Sequence, residues 1–398
     1  MIAVARGRVQ ATSAHAIEAR MPSARLGESV AVVSRAGTLI ARIDAVRNGG
    51  VRLTPRGATA GVAAGDAVVS IAPGRAARLG LPFLGCALDP GGIFEVCARP
   101  FARAPVDAPL WTGIRAIDAL LTLGRGARIG VFGPPGTGKS TLLEAIAAGT
   151  TADAVVIGLV GERGREAERW LRALDGRTSI VCATGERTAA ERVHAAEIAF
   201  AQAEALRERG LDVLLIVDSL ARVAAGAREI ALGLGEIPGR GGYPPGVFSD
   251  LARLVERAGR AAAGSISLVA TVLSEAAGDD DPLALAVRSL LDGHIVLDAG
   301  LAQAGRFPAI DVPRSVSRTM PEVAGPGHRA AAGRLRAALA LLAESADLRA
   351  AGIALPGRDP ALDRAVEAQP EIEAFLHGQG SCEPRQTLDQ LLVLADRL

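Results

Sequence analysis

Lysine and arginine together number 44 in this chain, and Lys139 is the only lysine among them. It lies in Gly133-Pro134-Pro135-Gly136-Thr137-Gly138-Lys139-Ser140-Thr141, which fits the pattern GxxxxGK[ST]. The segment follows an apolar run, ARIGVFG, and precedes a helical pattern, which is the context this pattern requires. Glycines let the backbone wrap so that N–H groups face phosphate oxygens. The start of the following helix adds the positive end of its dipole. Lysine is a compact charge on a flexible stem that reaches β and γ phosphates from inside such a loop. The planar fork of arginine is bulkier and cannot take that place. Ser140 would place its hydroxyl on Mg²⁺. Residues 133–141 therefore read as a phosphate cradle.

Two further segments end apolar runs with groups that fit the same chemistry. DVLLIVD leads to Asp218, where a carboxylate at the C-terminal end of a strand can hold Mg²⁺ through water. GLVGERGREAERW brings Glu162, a candidate to polarise an attacking water, and Arg163, which could pair with a phosphate or position Glu162. On position alone, a solvated, arginine-rich helix start is the simpler reading of Glu162 and Arg163.

The elements that must position these groups follow from length and pattern. A chain of 398 residues is too long for one ordinary core and implies two or three domains. Up to residue 80, short apolar runs (SVAVV, TLIARI, GVRLTP, DAVVSI) separated by turn residues predict a small β-barrel or sandwich. Residues 81–109 read as a connector. From about Ala127, apolar runs alternate with helical stretches such as HAAEIAFAQAEALRERG, with Gly210 as a stop signal. That grammar is α/β, a mostly parallel sheet covered on both faces. From residue 327 the pattern is helical.

Composition narrows the function classes. No apolar run of about 18 residues predicts a membrane span, and the start of the chain lacks the apolar core of a signal peptide. The four cysteines form no CxxC pair, which points to a reducing cytosol, and the five scattered histidines offer no zinc spacing. Residues 1–80 carry 11 arginines against Glu18, Glu28, Asp44 and Asp66. Such a basic segment could face nucleic acid, an anionic membrane or an acidic protein, or be an ordinary solvated surface. Residues 1–82 contain no Phe, Tyr or Trp and so lack the stacking faces of a nucleic-acid translocase.

The chain resembles the ATPases of type III secretion systems, relatives of the catalytic subunits of rotary ATP synthases. The resemblance runs from about Leu110 to Val323, through PLWTGIRAIDALLTLGRGARIGVFG, VVIGLVGERGREAERWL, LLIVDSLARVAAGAREIALGLGE, GYPPGVFSDLARLVERAG, VRSLLDGHIVL and FPAIDVPRSVSRTMPEV. It implies an N-terminal β-barrel (1–80), the connector (81–109), a RecA-like nucleotide-binding domain (110–326) and a C-terminal helical domain (327–398). It implies ATP and Mg²⁺ as ligands. It also implies a homohexameric ring, cytoplasmic and peripheral to the inner membrane. Its implied partners are chaperone–substrate complexes, stator or stalk proteins and export-gate proteins, with no nucleic acid; hydrolysis would promote chaperone release and cargo unfolding. By the same resemblance Glu162 matches the catalytic glutamate, Asp218 the Mg²⁺-associated aspartate, Arg318 an arginine finger donated to a neighbour, and Phe307 the aromatic that packs on adenine.

The chain departs from the family pattern in two places. Pro134 and Pro135 remove two backbone donors from the loop. Val223 and Gly226 stand where an aromatic and a glutamine are common. VRSLLDGHIVL and SRTMPEV resemble the virulence-type injectisome branch, with flagellar export as the alternative. A rotary synthase subunit is a further alternative. Synthases commonly divide base and finger between two kinds of chain, whereas Glu162 and Arg318 occur here in one, which favours a homo-oligomer.

Overall fold

The structure, a computed structural model, describes residues 6–48, 50–71, 80–88, 104–172, 174–273, 281–353, 357–378 and 382–398. Strands β1 (Arg6–Thr12), β2 (Ile17–Arg20), β3 (Ser29–Ser34), β4 (Gly37–Arg47), β5 (Gly50–Pro55) and β6 (Ala67–Ser70) close a barrel in the order β1-β2-β5-β4-β3-β6. Of the two expected forms, barrel or sandwich, the barrel is the one found. Its ladders are antiparallel, and alternate residues fill the interior: Val30 and Val32, Ala41 and Ile43, Val51 and Leu53. Part of the expected connector lies outside the described residues. The described part contributes β7 (Ala87–Leu88).

There follow β8 (Pro109–Leu110), α1 (Arg115–Leu120), β9 (Leu123–Gly124), β10 (Arg128–Gly133), α2 (Lys139–Gly149), β11 (Ala154–Val160), α3 (Gly164–Arg172), β12 (Thr178–Ala183), α4 (Ala189–Arg207) and β13 (Asp212–Asp218). Next come α5 (Leu220–Gly233), α6 (Pro245–Val255), β14 (Gly259–Arg260), β15 (Ser265–Leu273), α7 (Pro282–Leu290), β16 (Gly293–Leu297), α8 (Ala299–Gln303) and β17 (Ile310–Ser317). The chain ends in helices α9 (Met320–Val323), α10 (Pro326–Glu344), α11 (Ala346–Ala350), α12 (Pro360–Leu376) and α13 (Pro384–Ala395). No described helix is long and apolar enough to cross a membrane.

The chain divides into two compact units: Met1–Pro100 with Val156–Leu206 and Val217–Arg257, and Phe101–Val155 with Arg207–Ile216 and Ala258–Leu398. In the first unit the barrel is fastened to helices. Arg42 donates to Glu197 on α4 at 3.3 Å, His194 Nδ1 meets the same carboxylate at 2.9 Å, and Arg52 donates to the Leu234 carbonyl at 3.2 Å. Strand β12 carries β7 as a parallel neighbour. Helix α4 begins earlier than the run from His194 predicts, because Thr188 and Glu191 form a capping box: the Glu191 carboxylate accepts from the Thr188 N–H and hydroxyl, and Thr188 Oγ1 accepts from the Glu191 N–H. Gly210, at φ +85°, ends the helical run as expected.

In the second unit, β10 is flanked by β15 and β16, both parallel to it, with Val131 opposite Thr271 on one side and Ile295 on the other. Strand β17 adds to β16, and β14 to β15, in antiparallel fashion, to strands that are otherwise parallel as the sequence predicts. The C-terminal helices bury an apolar seam that includes Leu335, Ile372, Phe375 and Leu391.

Candidate functional site

The second unit holds the phosphate loop. Strand β10 is buried almost throughout and ends at Gly133, and α2 starts at Lys139, capped by Gly138 at φ +83°. Gly136 also has positive φ, +82°, a region that costs other residues about 1–2 kcal/mol. Lys139 Nζ donates to the carbonyl oxygens of Gly133 at 2.9 Å and Pro134 at 2.7 Å. The Pro134 carbonyl also accepts the Thr137 hydroxyl at 2.9 Å. The prolines thus remove two donors, yet the Pro134 carbonyl helps to place the ammonium. The first turn of a helix leaves its amides without intrahelical acceptors, so the start of α2 offers donors beside that cation. Ser140 is half-buried there, and Thr141 and Pro135 are exposed.

Beside the loop lies a cavity of about 260 Å³, lined among others by Gly138, Thr141, Leu142, Phe307, Pro308 and Leu376. Phe307, 45% exposed, packs its ring over Gly138. A Cβ on Gly138 would lie 3.1 Å from that ring and, at this positive φ, would be strained, so glycine lets the loop and the aromatic pack closely. An apolar slot walled by a ring face, next to a lysine and a helix N-terminus, fits a nucleotide with its base in the slot and its phosphates on the loop. Arg318 follows β17. Its backbone N–H donates to the Asp292 carbonyl at 2.9 Å, and the residue is exposed.

The first unit holds the acidic groups. Strand β11 is buried along its whole length and turns at Gly161, φ +71°, whose N–H donates to the Ala183 carbonyl at 2.6 Å. The turn delivers Glu162, only 8% exposed. Arg222 Nε donates to Glu162 Oε1 at 2.8 Å. A Cβ on Gly161 would lie 2.8 Å from Arg222 Cδ, so this glycine makes room for the arginine stem. Asp218, buried at the end of β13, precedes Ser219, which caps α5 by accepting the Arg222 N–H. Burial, and then the Asp218 charge, push the Glu162 carboxyl up to about 7, against the Arg222 charge that pulls it down. A carboxyl poised near neutrality, buried beside Arg222 and Asp218, can take part in proton transfer or orient a water.

Sequence reasoning offered Arg163 either as a phosphate contact or as a group that positions Glu162. Arg163 is exposed, and the hydrogen bond to Glu162 comes from Arg222, which the sequence reading did not single out. The pair is joined by the fold, 60 positions apart, and no local spacing signals it. Gly226, one of the departures from the family pattern, packs α5 on α4: a Cβ there would lie 3.1 Å from the Ala189 carbonyl oxygen.

The family model for the ATP synthase alpha/beta nucleotide-binding domain matches residues 113–317, and that for the type III EscN ATPase C-terminal domain matches 324–392. A type 3 secretion system ATPase of Pseudomonas syringae pv. syringae is 41% identical, with 98% of this chain and 94% of that protein covered. A flagellum-specific ATP synthase of Pseudomonas aeruginosa is 37% identical, with 99% and 91% covered. The assembled ATPase EscN of enteropathogenic E. coli superposes with a TM-score of 0.89 at 36% identity, covering 98% of this chain and all of that one. The chain therefore belongs to the type 3 secretion system ATPases, ATP hydrolases built on the nucleotide-binding domain of the ATP synthase alpha/beta family.

Proposed function

We propose that this chain hydrolyses MgATP at the interfaces of a homohexameric ring, and that hydrolysis releases chaperones from secretion substrates and unfolds the substrates for export. The observation that carries the reading is that one polypeptide holds both the buried Glu162 and the exposed Arg318, so identical chains can complete every interface. EscN, the similar ATPase, is known in an assembled form and in complex with its central stalk EscO, which supports an oligomer and a stalk partner here. The same resemblance underlies the proposed contacts with stator and export-gate proteins and a cytoplasmic position at the inner membrane. It also underlies a division into barrel (1–80), connector (81–109), nucleotide-binding domain (110–326) and helical domain (327–398).

In this mechanism Lys139 and the backbone N–H groups of the loop 133–141, Pro134 and Pro135 excepted, hold the β and γ phosphates, and Phe307 stacks on adenine. Ser140 and Asp218 are the residues that would hold Mg²⁺, which when bound neutralises charge on the phosphate oxygens. Glu162, once ionised, orients the attacking water, and Arg163 assists at the phosphate. Arg318 reaches the site of the adjacent subunit, where an arginine finger is worth about 10³–10⁵ in rate. The injectisome branch is favoured over flagellar export by VRSLLDGHIVL and SRTMPEV, and relatives of both kinds match the chain.

The test mixes two inactive variants, Arg318→Ala and Glu162→Gln, under conditions of subunit exchange. Some interfaces then pair an intact Glu162 with an intact Arg318, and partial ATPase activity returns. Rings of fused, ordered subunits that place both intact groups at one interface and stay inactive would refute the trans assignment of Arg318.

A further inference from the structure

The loop that carries Phe307 is tied on its far side to helix α12. Arg306, immediately before Phe307, pairs with Glu373 at 3.1 Å. His377, just past the end of α12, donates from Nδ1 to the Pro308 carbonyl at 3.2 Å. The ring is therefore flanked by two contacts, one on each neighbouring residue, and both come from the same turn of the C-terminal helices. The contacts continue inward. Gln369 Nε2 donates to Glu373 Oε1 at 3.0 Å, and Arg349 donates to Gln369 Oε1 at 3.1 Å. Arg349 also donates to Ser345 Oγ at 3.1 Å and to the Leu342 carbonyl at 2.8 Å. Leu376, one position before His377, lines the cavity under the ring.

We infer that Glu373 and His377 are positioning residues for nucleotide binding: acting through Arg306 and Pro308, they hold the Phe307 ring at the angle that closes the base slot. The inference rests on the reading of Phe307 as the base-stacking ring. Packing covers only part of this ring. Phe307 is 45% exposed, and its described close neighbour on the loop side, Gly138, has no side chain. A half-exposed aromatic that must present one face to a base loses affinity when its backbone is free to swing. Arg306 and Glu373 are themselves 44% and 33% exposed, so the pair is screened and its effect is modest.

The experiment measures MgADP affinity by calorimetry and steady-state ATPase kinetics for Glu373→Gln, Arg306→Gln and the exchanged pair Arg306→Glu with Glu373→Arg. Each single change is expected to weaken MgADP and raise KM for ATP by about two- to fivefold with kcat nearly unchanged, and the exchanged pair to recover part of the loss. Inorganic triphosphate, which has no base, is expected to bind the variants as it binds the wild type. In a Phe307→Leu background, Glu373→Gln is expected to cost nothing further, because there is no ring left to position. Unchanged MgADP affinity in the single variants overturns the inference. So does an equal loss with and without Phe307, or an equal loss toward triphosphate, since each marks a general structural role. If Phe307→Leu itself leaves MgADP binding unaltered, the stacking assignment falls, and this inference with it.

Discussion

Lowering the pH should silence this ATPase through Glu162 well above the range of ordinary carboxylates. Burial is the largest cause that raises this carboxyl, and the Asp218 charge adds to it; Arg222 opposes both, leaving the group at about 7. Both raising causes favour the protonated acid, which cannot accept a hydrogen bond from the attacking water in the required sense. Activity is therefore present above the folded value and is lost as pH falls through it. With a midpoint near 7, about nine-tenths of the sites are ionised at pH 8, half at pH 7 and about one-tenth at pH 6. The expected profile of kcat/KM falls about tenfold from pH 8 to pH 6, because this ratio reports the free enzyme. The assay is steady-state hydrolysis from pH 5.5 to 9 with Mg²⁺ in excess, which keeps the ionisation of the nucleotide itself out of the window. Circular dichroism checks the fold at each end. Arg222→Gln removes a cation that pulls Glu162 down, so its limb should move to higher pH. A flat profile down to pH 5.5, or a limb that Arg222→Gln shifts to lower pH, would refute the argument.

Lys139→Arg keeps the charge but not the shape that meets the Gly133 and Pro134 carbonyls; turnover should fall by about two orders of magnitude or more, while the thermal melt stays close to wild type. Gly138→Ala sets a methyl 3.1 Å from the Phe307 ring at φ +83°, and calorimetry should find MgADP binding weakened or lost with the helical content unchanged. Glu204 and Arg257 form a two-pronged pair at 2.9 and 2.5 Å, with side chains only 5% and 12% exposed. Glu204→Ala should lower urea stability by about 3 kcal/mol by removing both of these hydrogen bonds from a largely buried guanidinium, and replacing both residues by methionine should cost less.

Much of the nucleotide site can be read from the sequence because its chemistry depends on contiguous residues. A phosphate cradle needs its glycines, lysine and hydroxyl within a few positions, and Asp218 sits where an apolar strand ends. Arg222 is invisible by comparison, since an arginine in the first turn of a helix has no local signature and its partner arrives from another strand. Strands β1 and β2 escape the apolar pattern for a related reason. β1 buries only Val9 fully, and β2 alternates over just four residues. Strand β17 carries Pro313 and is interrupted as a pattern, yet it forms the edge, where a missing N–H costs little. The wall supplied by Leu376 belongs to a helix read only as one of several, and nothing in its sequence marks it as part of a base slot.

The barrel closes on itself: β6 pairs with both β1 and β3, and no strand of the ring is left with an open side. Open edges are where sheets recruit further strands, and a chain that assembles as proposed above would be exposed to runaway polymerisation through them. Closure would confine any contact between barrels in the proposed ring to side chains. Such contacts bury less backbone, respond to ionic strength and can be undone without unzipping a ladder. In the proposed ring, copies that fail to close would have no strand edge in the barrel along which to grow into fibres.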